Sequence, residues 1–161
     1  MLLLLVAALV AVTDRAFPLI VLAAVAVALA ADQLRRARRR AAVRRFRRER
    51  PGKDLLLVYT DSPHWRPYIE ANWLSQWEAR AAVLNRSRPW AEAQPEAALW
   101  RAVAGTVEHT PLAVVVPPRG RLTVVRLYRA FRDFKYGKPE KLRSAEAALR
   151  AALDARGGGA A

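Results

Sequence analysis

The sequence predicts an α/β domain with a four-stranded mixed sheet, carried behind an apolar amino-terminal segment. Three observations lead there. Short apolar runs of buried-strand type, DLLLVY (Asp54–Tyr59) and LAVVV (Leu112–Val116), alternate with stretches of helical spacing. Pro51-Gly52 separates them from an arginine-rich run. Ahead of that run, residues 2–12 and 16–31 are almost wholly apolar. With 161 residues there is room for one ordinary domain and something extra.

The elements follow in order. Asp54–Tyr59 is a strand with no polar side, which asks for cover on both faces. Pro67–Ala82 puts Tyr68, Ile69, Trp73, Leu74, Trp77 and Ala81 on one helical stripe, with Glu70, Gln76, Glu78 and Arg80 opposite. AVLN within Ala81–Ser87 reads as a second strand leaving through Asn85-Arg86-Ser87. Pro95–Ala104 suits a helix, with proline and glutamate in its first turn and Gly105 just past its end. Leu112–Val116 and Leu122–Arg129 form a hairpin around Pro117-Pro118-Arg119-Gly120. RAFRDFKYGKPEKLR is a loop or irregular helix, and Ser144–Ala155 is a closing helix with Ser144 as its N-cap. The order is β-α-β-α-β-β-α, with helices on both faces of the sheet.

Charge and missing residue types limit the chemistry. Residues 35–50 hold ten arginines and one glutamate, +9 of the chain's +14, so the basicity belongs mainly to one segment. The absence of cysteine excludes disulfides, thiolate nucleophiles and dithiol redox cycling. Two histidines argue against a histidine-rich metal site, and no metal or cofactor is expected.

The amino-terminal run of 16–31 would span roughly 24 Å as a helix, a little short of a hydrocarbon core of about 30 Å. Thr13-Asp14-Arg15 interrupts the apolar stretch. Two topologies keep those charges out of lipid: a short hairpin turning at Thr13–Pro18, or a single span over 16–34. A signal peptide carries its positive charge before the apolar core, whereas here it follows. Arginines at the membrane exit put the following domain on the cytoplasmic side in either topology. The organisation expected is therefore a membrane anchor over 1–34, a polybasic linker over 35–52, a soluble domain over 53–156 and a tail over 157–161. Arg35, Arg36, Arg38, Arg39, Arg40, Arg44, Arg45, Arg47 and Arg48 are the candidates for contact with anionic headgroups.

Three local features resemble the minimal thioredoxin-like fold across roughly residues 54–153. The corner TDSPHWRPY lies where that family carries WCxxC, between a first strand and its helix. His109-Thr110-Pro111-Leu112 is similar to the element with a cis proline before the third strand, and PPRGR to the turn between the last two strands. Both redox cysteines are missing. The resemblance implies a fold and a groove, not oxidoreductase activity. The groove would gather Asp61, Ser62, His64, Trp65 and Arg66 with His109, Thr110 and Pro111. Such a groove suits an anionic group at a helix start or an extended peptide beside the proline.

A second candidate surface interleaves aromatics with bases: Arg129, Phe131, Arg132, Phe134, Lys135 and Tyr136. That mixture suits a membrane or protein interface, and nucleic acid is not the expected partner. The function expected is a membrane-anchored, redox-inactive binding or scaffold module with a protein partner. The alternatives are a transferase or hydrolase using His64 and His109 on an anionic or lipid-linked substrate, and binding of anionic lipid or nucleic acid through the basic segments.

Overall fold

Strand β1 (Leu55–Tyr59) sits inside the sheet because both of its faces are apolar, and all five side chains are buried. The computed structural model describes residues 2–104, 109–117 and 121–155, with side chains from Pro18 onward apart from Leu19. Alternate side chains of β1 go to opposite faces. Leu55, Leu57 and Tyr59 enter one hydrophobic cluster, and Leu56 and Val58 enter another. β1 pairs in parallel with β2 (Ala81–Asn85) and antiparallel with β3 (Leu112–Val115), which pairs antiparallel with β4 (Thr123–Arg126). The sheet order is β2-β1-β3-β4, so the mixed four-stranded α/β architecture expected is present.

One face carries α2 (Arg66–Ile69), a π-helical turn (Glu70–Leu74) and α3 (Ser75–Trp77), together with α5 (Tyr128–Lys135) and α6 (Glu140–Asp154). Ile69, Trp73, Trp77, Phe131, Leu142 and Leu149 form the core of that face. The other face is covered by α4 (Pro95–Ala104) and by the end of α1 (Leu2–Glu49), through Leu99 and Phe46.

The chain divides into two compact units, Met1–Arg38 and Arg39–Ala161. Within the second, the last residues of α1 are part of the folded body. Ala42 is buried, Phe46 is 0% exposed, and Arg50 makes two hydrogen bonds to the buried Glu96, at 2.5 and 3.3 Å. The helix then stops at Pro51-Gly52, where Gly52 takes φ +78°, a conformation that favours glycine.

Several expectations are corrected. α1 runs without a break through Thr13–Pro18, with Pro18 inside it, so the turn a hairpin needs is not formed. Among the described residues no helix is long and apolar enough to cross a membrane, which leaves the expected transmembrane segment without structural support. The fourth strand ends at Arg126, and Tyr128–Lys135, expected in part as strand and in part as loop or irregular helix, is a regular helix. α6 starts at Glu140, so Ser144 lies within the helix and caps nothing. The Gly105 position, the Pro118–Gly120 turn, the carboxy-terminal tail and the side chains of the first apolar run lie outside the described residues.

Candidate functional site

The corner after β1 folds back on its own strand. Trp65 Nε1 donates to the carbonyl and to the hydroxyl of Thr60, both at 3.2 Å, which tilts the indole over the exit of β1. Ser62 O accepts the backbone N–H groups of Trp65 and Arg66 at 3.4 and 3.0 Å and so starts the helix. The Ser62 hydroxyl takes only a long bond from the His64 N–H, at 3.4 Å. Neither Asp61 nor Ser62 caps α2 with its side chain.

Asp61 belongs to a polar cluster beyond the strand ends. Its carboxylate accepts Asn85 Nδ2 at 2.7 Å and pairs with Arg66 at 3.2 Å, with Arg88 at 3.9 Å. Its N–H donates to Ser87 Oγ at 3.0 Å. Arg66 also bonds Glu70 at 3.0 Å, and these carboxylates hold its guanidinium more firmly protonated than usual, Glu70 most strongly. Tyr59 donates to Glu70 at 3.4 Å, and burial first, then Glu70, raises its phenol above the ordinary range. The cluster fixes the loop and leaves Asp61 already engaged.

The opposite wall comes from the loop before β3. The Thr110-Pro111 bond is cis, and both residues are buried. The Pro111 carbonyl accepts the Leu127 N–H at 3.0 Å, which brings the start of α5 beside the proline. Tyr128, the first residue of that helix, then joins the two walls. Its ring stacks on His109 with centroids 4.8 Å apart and meets Trp65 edge-on at 6.1 Å. From the far end of the same helix the Lys135 ammonium donates to His64 Nε2 at 3.2 Å.

The two surfaces expected separately are thus partly one. Lys135 reaches the corner, while Arg129 and Arg132 are exposed on α5, Arg132 lying 3.5 Å from the Asp133 carboxylate. Phe131 is no surface residue: it is fully buried, wedged between Tyr68 at 5.5 Å and Trp73 at 5.6 Å. Phe134 packs edge-on against Tyr68, and Tyr136 is 69% exposed with the Lys135 ammonium 5.8 Å from its ring. Tyr128 is the residue that sequence reasoning left out of the groove. It lay inside the expected strand Leu122–Arg129, whereas the strand ends at Arg126 and Tyr128 opens a helix.

Ring contacts link His64 to His109 through Trp65 and Tyr128. The Ser62 hydroxyl meets no imidazole or carboxylate among the described residues.

The arginine run also sorts. Arg45 bonds Glu49 at 2.9 Å and the Ala93 carbonyl at 2.6 Å, and Arg47 donates to the Pro117 carbonyl, so both are engaged in the domain. Arg45 and then Arg48 hold the Glu49 carboxyl below its usual range. Arg35 and Arg36 pair with Asp32, at 3.9 and 2.7 Å, while Arg38, Arg39, Arg40 and Arg44 are exposed. No protein-family model matches the sequence, and searches of curated proteins and of solved structures return no match.

Proposed function

We propose that this chain is a thioredoxin-like module without redox chemistry that binds an extended segment of a protein partner. The segment lies across Trp65, Tyr128 and His109, beside the cis proline. The amino-terminal helix holds the module at the cytoplasmic face of a membrane. The observation that carries the reading is the ring ladder. A strand-to-helix corner and a cis-proline loop, distant in sequence, meet through Tyr128 with aromatic side chains where the family keeps its cysteines.

Rings packed on one another, with the Trp65 indole held by Thr60, offer large contact area at little entropy cost, which suits recognition better than reaction. The sheet order β2-β1-β3-β4 and the cis bond before β3 support the likeness in fold. Membrane attachment draws its support from the apolar run over 16–31 and from Ile20, Leu22, Val27 and Leu29, each more than half exposed on α1. The exposed arginines Arg38, Arg39, Arg40 and Arg44 suit anionic headgroups.

The test is photo-crosslinking in membranes carrying the full chain, with a photoreactive phenylalanine at position 64 or, as a control, at position 147 on the exposed side of α6. Position 64 should give a discrete adduct that Trp65→Ala weakens by about tenfold, the loss of one modest aromatic anchor. Equal adducts from both positions, or an adduct indifferent to Trp65→Ala, would exclude this surface. Recovery of the chain in the soluble fraction would exclude the membrane part alone.

A further inference from the structure

The ring ladder has one chemically distinct end. On α5, Tyr128, Arg132 and Lys135 recur at spacings of four and three, so they share one stripe of the helix. Tyr128 belongs to the ladder, and Lys135 closes its corner end by donating to His64 Nε2 at 3.2 Å. An ammonium has donors only, so that nitrogen is the neutral acceptor of the imidazole and leaves the lysine charge uncompensated. Lys135 and Arg129 are exposed, and neither pairs with a carboxylate among the described residues.

The carboxylates around the ladder are already engaged. Asp61 holds Asn85 and Arg66, Glu70 holds Arg66 and Tyr59, and Glu146 holds Tyr68 and Trp73. Asp133 pairs with Lys141 at 2.5 Å and lies 3.5 Å from Arg132. From Tyr128 to Lys141 the sequence has five bases against two acids, so the surplus at this end is cationic. The rings also have a regular spacing. The centroids of His64 and Trp65 lie 6.4 Å apart, and those of Trp65 and Tyr128 6.1 Å. Side chains on one side of an extended strand recur at about 6.7 Å, twice the rise per residue. Stacked bases fit less well, because His109 already covers one face of Tyr128 at 4.8 Å.

We infer that the segment bound by the ring ladder is acidic, with a carboxylate at the Lys135–His64 end and an apolar side chain over Trp65 two residues along. The carboxylate takes the ammonium from His64, exchanging a neutral acceptor for a charged one and roughly doubling the strength of the bond. Extended backbone beside the cis proline sets the register. Selection of this kind presupposes that the ladder binds an extended segment at all.

The test is an NMR titration of the full chain in a mild non-ionic detergent, reading the Trp65 indole N–H and the backbone amides of His64 and Lys135. The probes are blocked heptapeptides of serine with leucine at the third and fifth positions. Glutamate, glutamine or lysine occupies both ends, so an end residue lies two from a leucine in either chain direction. The glutamate peptide should bind about tenfold more tightly than the glutamine peptide, and the lysine peptide should leave all three signals unmoved. Raising the salt from 0.05 to 0.5 M should narrow the gap between glutamate and glutamine. Lys135→Met, at an exposed position, should erase that gap without weakening the glutamine peptide, and Lys135→Glu should reverse the order in favour of lysine. Equal affinity for the glutamate and glutamine peptides would overturn the acidic selection while the ladder stands as a binding surface. An unmoved Trp65 signal with every peptide would overturn both. A glutamate preference that survives Lys135→Glu, or shifts centred on Lys138 and Lys141, would overturn the placement of the carboxylate. Tighter binding of a thymidine oligonucleotide at the same three signals would assign the surface to nucleic acid and overturn it too.

Discussion

At the scale of single residues, Glu146 carries an unusual share of one face. Its Oε1 accepts the Tyr68 hydroxyl at 2.8 Å and Trp73 Nε1 at 2.7 Å, tying α6 to the π-helical segment. Trp73 is fully buried, so its indole N–H has no recourse to water if the carboxylate is removed. Glu146→Ala should lower stability in urea by about 2–4 kcal/mol, and Glu146→Gln, which keeps an acceptor, by about 1 kcal/mol. Tyr68 reports the same contact. Burial first, then its bond to Glu146 and the charge of that carboxylate, pushes its phenol up to about 12 from 10.0. The folded state thus favours the neutral phenol, and this part of the stability is complete below pH 10 and lost as pH rises through about 12. Ultraviolet titration should show two tyrosines ionising late, Tyr59 and, through this contact, Tyr68. In Glu146→Gln, Tyr68 should ionise earlier without reaching the ordinary value, because burial remains.

At the scale of elements, strand identity was legible and helix detail was not. Continuous apolar runs identify β1 and β3 to within a residue or two, because both strands are buried on both faces, and β2 is marked by its short run ending at Asn85 although Val83 is exposed. Pro95–Ala104 was legible to its ends, as first-turn proline and glutamate dictate. The helix at Tyr128–Lys135 was hidden because LTVVRLYR reads as one strand until the Leu127 N–H is seen bonding Pro111 O. The same bond concealed Tyr128 as the centre of the candidate site, since pairing across two loops has no local signature. The π-helical turn left a trace that ordinary helical periodicity overlooks. Ile69, Trp73 and Trp77 recur every fourth residue, whereas an α-helix of 3.6 residues per turn would swing the third about 80° off the first. The wide turn at Glu70–Leu74 absorbs that drift and keeps all three buried. Deleting the exposed Asn72 should therefore close the wide turn into ordinary α-helix, because seven residues at about 100° each leave Trp77 within about 20° of Ile69. A cooperative thermal transition should survive that deletion, whereas deleting Ala71 as well should abolish it, and Asn72→Ala should change stability by no more than about 0.5 kcal/mol.

At the scale of the whole molecule, the arginine-rich segment serves two ends of the chain at once. A run of ten arginines reads as a solvated linker, and composition gives no hint of which side chains turn inward. Phe46, the single aromatic within the run, does. It fills the second face beside Leu56, Val58, Leu99 and Val114, where α4 alone does not cover the sheet. Arg50 neutralises Glu96, which is 5% exposed. The boundary of the folding unit accordingly falls near Arg39, ahead of the Pro51-Gly52 break. A chain beginning at residue 39 should unfold cooperatively. One beginning at residue 53 loses Phe46, worth about 3–5 kcal/mol, and strands a buried carboxylate at a cost of about 3–5 kcal/mol more. Together those losses rival the whole stability of a domain, about 5–15 kcal/mol. Circular dichroism during urea unfolding would separate the two chains. Equal midpoints would mean that the end of α1 rests on the sheet without supporting it, and that the arginine run is a tether alone.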